Sequence, residues 1–246
     1  MMNRRHFLAG TLALGLMPKR AFSTTSLARK GSDAQGMTLA QAASKPGLLY
    51  GSPLFPGELQ NEAYVKLFGT QTSILTNTVY MSVTQPRRET WNLAGFEKVR
   101  AFARKKNLRM RGHPLVWHEA LPGWARTISS PEEARQVIRN RIAKLVGRFK
   151  GEFQSWDVVN EAVDPSAKNS DHLTDCVWSK QLGVEYLDYA FRVAHDTDGH
   201  ALLTYNDYGT EDDSDASRAK RFGEKLEPTA VFYAMKAAFL NAPHHA

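Results

Sequence analysis

The stretch Ser155-Trp156-Asp157-Val158-Val159-Asn160-Glu161 decides the fold that we predict for this chain. Its apolar and β-branched residues are typical of a strand that is buried on both faces, and such strands occur in parallel sheets. The strand ends on an amide and a carboxylate, Asn160 and Glu161. Reactive groups at the carboxyl end of a buried strand indicate that this end faces a functional cleft.

Four more segments have the composition of strands, and two of them also end on polar or aromatic side chains. The segment 109–117 carries His113 and Trp117, and the segment 201–207 ends on Asp207. Functional groups at the same end of successive strands predict one shared active-site face. The five predicted strands are 48–54, 73–79, 109–117, 155–161 and 201–207.

Helices fit between these strands. The clearest begins with Ser130-Pro131-Glu132-Glu133, which has the form of a capping box with proline at the first helical position. Regular alternation of strand and helix predicts an α/β fold with a parallel sheet, either doubly wound or closed into a barrel. The segment Gly51–Gly57 lacks the G-x-G-x-x-G spacing of a nucleotide-binding turn, so we favour a TIM (β/α)8-barrel.

The composition of the chain argues against some classes of function. The chain has 246 residues, is 42% hydrophobic and carries a net charge of +7. Four of its 32 Lys and Arg residues and none of its 25 acidic residues lie in residues 1–23, so the charge of the remainder does not support a nucleic-acid partner. The single cysteine, Cys176, excludes an intrachain disulfide and indicates an apolar filler residue.

Residues 1–23 have the features of an export signal. Arg4-Arg5 precedes an apolar run over residues 7–17, and Ala21-Phe22-Ser23 offers a cleavage site. The run is shorter than the ~20 residues that cross a bilayer, so no permanent membrane anchor is predicted. The signal resembles the twin-arginine type, with an ordinary Sec signal as the alternative. We expect an exported protein, periplasmic or extracellular, with a flexible lead-in at 24–46 and a catalytic domain at 47–246.

The strand ends carry the groups that glycosidic bond cleavage requires. One carboxylic acid must protonate the leaving oxygen, and Glu161, next to Trp156 and Asn160, suits that role. His113 and Trp117 are four residues apart, which places a hydrogen-bonding imidazole and a flat apolar ring on one face of a strand. Taken singly, Glu161 could be an acid at a helix start, His113 a core histidine and Trp117 a packing residue.

Two neighbouring features have plainer interpretations. His113 and His118 are an odd number of residues apart and would point to opposite sides of a strand, so no metal site is predicted there. Asp207 could be a second catalytic carboxylate, but we interpret it as a structural acid that orients its neighbours. Asn160 and Glu161 can share one cleft only if the strand bends or bulges at its end.

These strand ends together resemble family 10 of the glycoside hydrolases, the retaining endo-β-1,4-xylanases. The resemblance covers roughly residues 47–211 and implies a TIM barrel that hydrolyses internal β-1,4-xylosidic bonds in xylan, with no cofactor. It implies that Glu161 is the general acid/base. The matching motifs are Arg111-Gly112-His113-Pro114-Leu115-Val116-Trp117-His118 with Leu121-Pro122-Gly123-Trp124, Trp156-Asp157-Val158-Val159-Asn160-Glu161-Ala162, and Asn206-Asp207-Tyr208.

The resemblance also implies substrate contacts. Asn160 corresponds to the residue that contacts the sugar 2-hydroxyl, His113 and Trp117 to ligands of the sugar at the cleavage point, and Asn77 to part of the neighbouring glycone site. The implied substrate-binding residues are thus Asn77, His113, Trp117, Asn160 and Tyr208.

The chain departs from the family pattern in two ways. Thr76 and Tyr80 stand where the family usually has Glu and Lys, so two hydroxyl-binding groups are replaced. The family's nucleophilic Glu lies on the seventh strand, about a hundred residues after the acid/base. We therefore expect a chain that is truncated before the nucleophile strand and holds about five of the eight βα units.

Two other functions compete with hydrolysis. A non-catalytic remnant of such an enzyme would retain Trp117, His113 and Asn160 and bind xylo-oligosaccharides without turnover. A phosphate-binding barrel enzyme of metabolism should show a glycine-rich phosphate loop, and the export signal argues against it.

Overall fold

Six parallel strands form one sheet in the part of the chain that the computed structural model describes, residues 36–168 and 172–209. Every strand pair in the sheet is parallel, which confirms the predicted α/β class. The strands are β1 Gly51–Pro53, β2 Ile74–Thr78, β3 Arg109–His113, β4 Val116–Trp117, β5 Ser155–Asn160 and β6 Leu202–Asn206.

Helices occupy the connections between the strands. The described helices are α1 Leu39–Ser44, α2 Glu62–Gln71, α3 Met81–Thr84, α4 Ala94–Lys105, α5 Pro131–Arg148, α6 Val177–Leu182 and α7 Glu185–Thr197, with short 3-10 helices at Glu58–Gln60 and Gly123–Thr127. None of the helices in this described part combines the length and apolarity that crossing a bilayer requires.

The order of the strands across the sheet follows the order of the chain. β1 pairs with β2, β2 with β3, β3 and β4 with β5, and β5 with β6. A doubly wound sheet reverses its strand order at a switch point, whereas a barrel adds each strand beside the last. The observed order therefore supports the barrel and not the doubly wound alternative.

The predicted strand 109–117 is interrupted in the structure. Gly112 lies opposite Trp156 and Val116 opposite Val159, so β3 and β4 together hold one more residue than the matching part of β5. The extra residue makes a bulge next to Pro114, which has no N–H to donate to a neighbouring strand. The prediction of one continuous strand was wrong, because the proline and the bulge divide it.

An aromatic cluster packs between the sheet and the helices. Trp156 of β5 is fully buried and stacks on Phe153, with ring centroids 4.5 Å apart. Phe96 of α4 stacks on Phe153 at 5.6 Å and packs against Phe149 at 4.9 Å. These rings bury a large apolar area, which holds α4 against β5 and so fixes the position of the strand that leads to Glu161.

Helix α5 confirms the predicted start at Ser130. The Ser130 hydroxyl accepts a hydrogen bond from the Glu133 backbone N–H, and Pro131 occupies the first turn. The Glu133 side chain accepts from Ser129 N–H and not from Ser130, so only half of the predicted capping box forms. The buried face of the helix consists of Ala134, Val137, Ile138, Arg141, Ile142, Leu145 and Val146.

Part of the predicted lead-in is helical. In α1, Thr38 and Gln41 form a capping box, and the Leu39 N–H donates to the Gln71 side chain 2.9 Å away. Regular structure therefore begins before Gly47, the boundary predicted from composition. The predicted export signal at 1–23 and the segment after residue 209 lie outside the described residues.

Candidate active site

The side chains that end the parallel strands meet at one edge of the sheet. Glu161 follows β5, His113 ends β3 and Trp117 ends β4. The Trp117 indole N–H donates to Glu161 Oε2 at 2.9 Å, and the His113 and Trp117 rings lie 6.4 Å apart. The structure therefore brings together the three residues that the sequence predicted as the centre of the site.

Glu161 adopts an unusual backbone conformation. Its φ of 53° lies in the left-handed region, which ends β5 and turns the Glu161 side chain away from strand alternation. The Glu161 N–H donates to the Asn206 carbonyl at 2.8 Å, and its carbonyl accepts from the Thr174 hydroxyl at 3.1 Å. The bend that the prediction required at this strand end is present, and two hydrogen bonds hold it.

A buried carboxylate, Asp157, organises the floor of the site. Asp157 is 1% exposed and accepts hydrogen bonds from the Arg111 guanidinium, from His113 Nδ1 at 2.8 Å and from the Thr204 hydroxyl. Burial raises the pKa of Asp157, but hydrogen bonds from His113, Arg111 and Thr204 together outweigh burial, and the net result is a lowered pKa. Because Asp157 accepts from Nδ1 of His113, the other ring nitrogen, Nε2, is left for a ligand.

The same network reaches Asn160. Arg111 Nη2 donates to Asn206 Oδ1 at 3.2 Å, and Asn206 Nδ2 donates to Asn160 Oδ1 at 2.7 Å. Asn160 is 2% exposed, and the hydrogen bond from Asn206 fixes the orientation of its side-chain amide. Sequence reasoning did not select Arg111, Asp157 or Asn206 as site residues. Arg111 is two residues before His113, and Asp157 is four residues before Glu161. Because residues an even number apart share a strand face, this spacing could have indicated both residues.

Asn77 hydrogen-bonds to the helix layer. It is 1% exposed, and its side-chain amide donates to the Phe96 carbonyl of α4 at 3.0 Å. The side chain shares its strand face with Leu75, which is fully buried. In this structure Asn77 therefore joins β2 to the helix layer, and its substrate contact stays a prediction.

The segment after β6 contains the remaining predicted residues. Tyr208 is 65% exposed, which leaves most of its ring open to solvent. Asp207 accepts a hydrogen bond from the Tyr205 hydroxyl, which in turn accepts from the Ala162 N–H at 3.0 Å. Burial and the nearby Asp207 charge raise the pKa of Tyr205, so its hydroxyl stays a donor. These bonds agree with a structural role for Asp207, because they join β6 to the residue that follows Glu161.

Within residues 36–168 and 172–209, no group of three or more His, Cys, Asp and Glu side chains is placed to hold a metal ion. The Nδ1 atom of His113 is hydrogen-bonded to Asp157. The described site residues supply a carboxylate, an imidazole, amides and aromatic rings.

A family model and the related proteins of known sequence all point to the same family. The family model described as "Glycosyl hydrolase family 10" matches residues 38–226. Endo-1,4-beta-xylanase 3 of Hypocrea jecorina is 30% identical over 208 residues, which are 82% of this chain and 59% of that protein. Endo-1,4-beta-xylanase B of Thermotoga neapolitana is 34% identical over 154 residues, covering 61% of this chain and 43% of that protein.

Solved structures give the same picture. Xylanase 10B from Thermotoga petrophila RKU-1, in complex with xylobiose, superposes with a TM-score of 0.69 at 29% identity, covering 84% of this chain and 60% of that one. Xylanase XynB from Paenibacillus barcinonensis gives 0.68 at 27% identity, covering 85% and 60%. This chain thus spans between 43% and 60% of the length of these relatives.

Proposed function

Because this chain belongs to glycosyl hydrolase family 10, we propose that it hydrolyses internal β-1,4-xylosidic bonds of xylan with retention of configuration, with Glu161 as general acid and base. The observation that carries the proposal is the position of the Glu161 carboxylate. It lies at the carboxyl end of a buried parallel strand, 2.9 Å from the indole nitrogen of Trp117, whose ring centroid is 6.4 Å from that of His113.

The proposed first step is proton transfer from Glu161 to the leaving oxygen of the glycosidic bond. In a retaining mechanism this transfer accompanies attack by a second carboxylate, and Glu161 then removes a proton from the incoming water. Trp117 holds one Glu161 oxygen, so the carboxyl group has a fixed orientation before substrate arrives. We assign no residue of this chain to the second carboxylate.

The network beneath the site supplies positioning. Asp157 fixes the His113 ring, and Asn206 fixes the Asn160 amide. A sugar hydroxyl that binds between these two groups would meet donors and acceptors already in place, with little rotamer entropy left to lose. Asp157, Arg111 and Asn206 are therefore positioning residues, while His113, Trp117 and Asn160 contact the sugar.

The function is tested with the full chain and a Glu161→Gln variant on xylan and on an aryl β-xylobioside. We expect Glu161→Gln to lower the turnover of xylan by about 10²-fold or more, because general acid catalysis contributes that much. The loss should be smaller on an activated aryl leaving group, which needs little protonation. Glu185→Gln, at an exposed residue paired with Arg135 on the helix layer, is the matched control.

Binding separates the two candidate functions. Isothermal titration with xylotetraose should give similar affinities for the wild type and Glu161→Gln, since the acid acts mainly in the transition state. Binding without any turnover by the wild type would favour the non-catalytic sugar-binding alternative. If the wild type neither binds xylotetraose nor hydrolyses xylan, both candidate functions are overturned.

We further propose that the chain is exported. What supports this is the arginine pair Arg4-Arg5 before an apolar run and the small residues Ala21 and Ser23. Expression in a bacterium followed by fractionation should place the chain outside the cytoplasm with Thr24 as its first residue. Replacing both arginines with lysine should block export if the twin-arginine route is used and leave it intact if the route is Sec.

A further inference from the structure

Tyr80 stands beside the proposed acid, although sequence reasoning assigned it no role. It follows β2 directly, and its ring centroid lies 5.5 Å from that of Trp117 with an interplanar angle of 40°. The Tyr80 ring also meets His113 edge to face, at 6.2 Å and 78°. Both Tyr80 and Trp117 are partly exposed, so two neighbouring aromatic rings present some of their surface near Glu161.

The backbone holds Tyr80 firmly in this place. Its carbonyl accepts hydrogen bonds from the Val83 N–H and from both the N–H and the hydroxyl of Thr84, at 2.9–3.0 Å. On the preceding residue, the Val79 N–H donates to the His113 carbonyl, and the Val79 carbonyl accepts from the buried Arg141. A side chain on so constrained a turn loses little further freedom when a ligand binds.

The chemistry of the Tyr80 side chain is that of an uncharged aromatic group. Burial raises the pKa of the Tyr80 phenol, and the Glu161 charge raises it further. The hydroxyl is therefore protonated across the range in which carboxylates titrate. Such a group offers an apolar ring face and one neutral hydroxyl, where a lysine would offer a cation with three donors.

We propose that Tyr80 is a substrate-binding residue whose ring, together with that of Trp117, packs against the face of a xylopyranose unit beside Glu161. This inference rests on the proposed function. Pyranose rings have apolar C–H faces and polar edges, so an aromatic ring can bind the face while His113, which contacts the Tyr80 ring, lies near the edge. The site then gains its affinity at this position from stacking on the ring more than from the Tyr80 hydroxyl.

Three variants of the full chain separate the ring from the hydroxyl. Tyr80→Phe keeps the ring and should bind xylotetraose within about twofold of the wild type. Tyr80→Ala and Tyr80→Leu remove the ring and should each weaken binding about threefold to tenfold, the range for one aromatic contact. Tyr80→Leu keeps an apolar side chain against Trp117, so it reports on stacking even if Tyr80→Ala does not fold. Tyr189→Ala, a tyrosine against Arg139 on the helix layer, should change nothing.

The outcomes distinguish this inference from the proposed function. If the wild type binds xylotetraose and both Tyr80→Leu and Tyr80→Ala bind it equally well, the inference is overturned but the proposed function is not. A loss in Tyr80→Phe as large as that in Tyr80→Leu would also overturn it, since the hydroxyl would then carry the contact. A wild type that shows neither binding nor turnover would overturn the proposed function and the inference with it. Isothermal titration measures each affinity, and thermal unfolding confirms that each variant is folded.

Discussion

The buried carboxylate of Asp157 shows how one residue sets the geometry of several others. It is almost fully buried, so its charge is tolerable only because Arg111, His113 and Thr204 all donate to it. The same bonds fix the His113 ring and, through Arg111 and Asn206, the Asn160 amide. Two predicted sugar contacts thus depend on an acid that itself has no surface in the cleft.

We predict that Asp157→Asn destabilises the chain by about 3 kcal/mol at neutral pH, because it leaves Arg111 without its buried counter-charge. The pKa of Asp157 is lowered by folding, so its ionisation stabilises the fold above the ordinary carboxyl value of about 4. That stabilisation is lost as the pH falls through the lower folded pKa. The difference in unfolding free energy between the wild type and Asp157→Asn, measured with urea, should therefore shrink below about pH 4.

An exposed acid provides the control for this experiment. Asp175 pairs with Lys180 at the surface, with both side chains largely exposed. Asp175→Asn should change stability by less than about 0.5 kcal/mol at any pH. If the penalty of Asp157→Asn stayed constant from pH 7 to pH 3, ionisation of Asp157 would not be what stabilises the site.

At the residue scale, the sequence predicted the groups that face the substrate better than those that hold them. Glu161 and Trp117 were identifiable because polar and aromatic side chains at a strand end are unusual. Asp157 was less visible because it lies inside an apolar strand, and its donors come from segments 44–47 residues away. The bond from Asn77 to the Phe96 carbonyl was not predicted, because the sequence does not state which face of β2 meets the helices.

At the scale of elements, close packing of β3 on β5 depends on one glycine. The ring of Trp156 lies where a Cβ on Gly112 would stand, so the two strands carry the largest and the smallest side chains at paired positions. The His113 backbone follows directly, and its carbonyl accepts from the Val79 N–H at 2.7 Å. Any displacement of β3 at this level would therefore also displace His113 and the turn that carries Tyr80.

We predict that Gly112→Ala lowers the free energy of unfolding by about 2–3 kcal/mol, because the added methyl group overlaps ring atoms of Trp156 that are themselves fully packed. Gly123→Ala is the control, since a Cβ at Gly123 would have open space within 4 Å. Urea unfolding followed by Trp fluorescence measures both variants. A Gly112→Ala variant as stable as Gly123→Ala would mean that the strand pair yields easily.

The element pattern itself was largely predictable. Alternation of apolar runs with an amphipathic helix placed all five strand regions and the start of α5, because hydrophobic periodicity and capping are local signals. The break between β3 and β4 was not predicted, although Pro114 was a visible warning. The helix α1 was missed because it buries no residue, so it shows no apolar periodicity.

At the scale of the whole molecule, Arg141 connects the helix layer to the cleft. It projects from the buried face of α5, is 2% exposed, and donates to the Leu115 carbonyl at 2.8 Å, to the Thr84 hydroxyl at 3.2 Å and to the Val79 carbonyl. These acceptors belong to the segments that carry Trp117 and Tyr80. The periodicity of α5 placed Arg141 on a core face but could not name its partners, which are mostly backbone groups far away in the sequence.

We predict that Arg141→Lys weakens both the fold and sugar binding. Burial lowers the pKa of Arg141 to about 9, so the group is still a cation at neutral pH and depends on its hydrogen bonds. A lysine ammonium on its single stem cannot reach three acceptors arranged around a planar guanidinium, and losing two such bonds should cost about 3 kcal/mol. Without these hydrogen bonds, the segments that carry Tyr80 and Trp117 should be less well fixed. The variant should therefore bind xylotetraose several-fold more weakly than the wild type.

A neighbouring residue on the same helix gives the matched control for Arg141→Lys. Arg139 is exposed and donates to the Tyr189 hydroxyl at 2.9 Å, so Arg139→Lys should stay within about 0.5 kcal/mol of the wild type and leave binding unchanged. Urea unfolding and isothermal titration on both variants separate the two effects. If Arg141→Lys lost stability but bound xylotetraose as tightly as Arg139→Lys, the helix layer would support the sheet without setting the shape of the cleft.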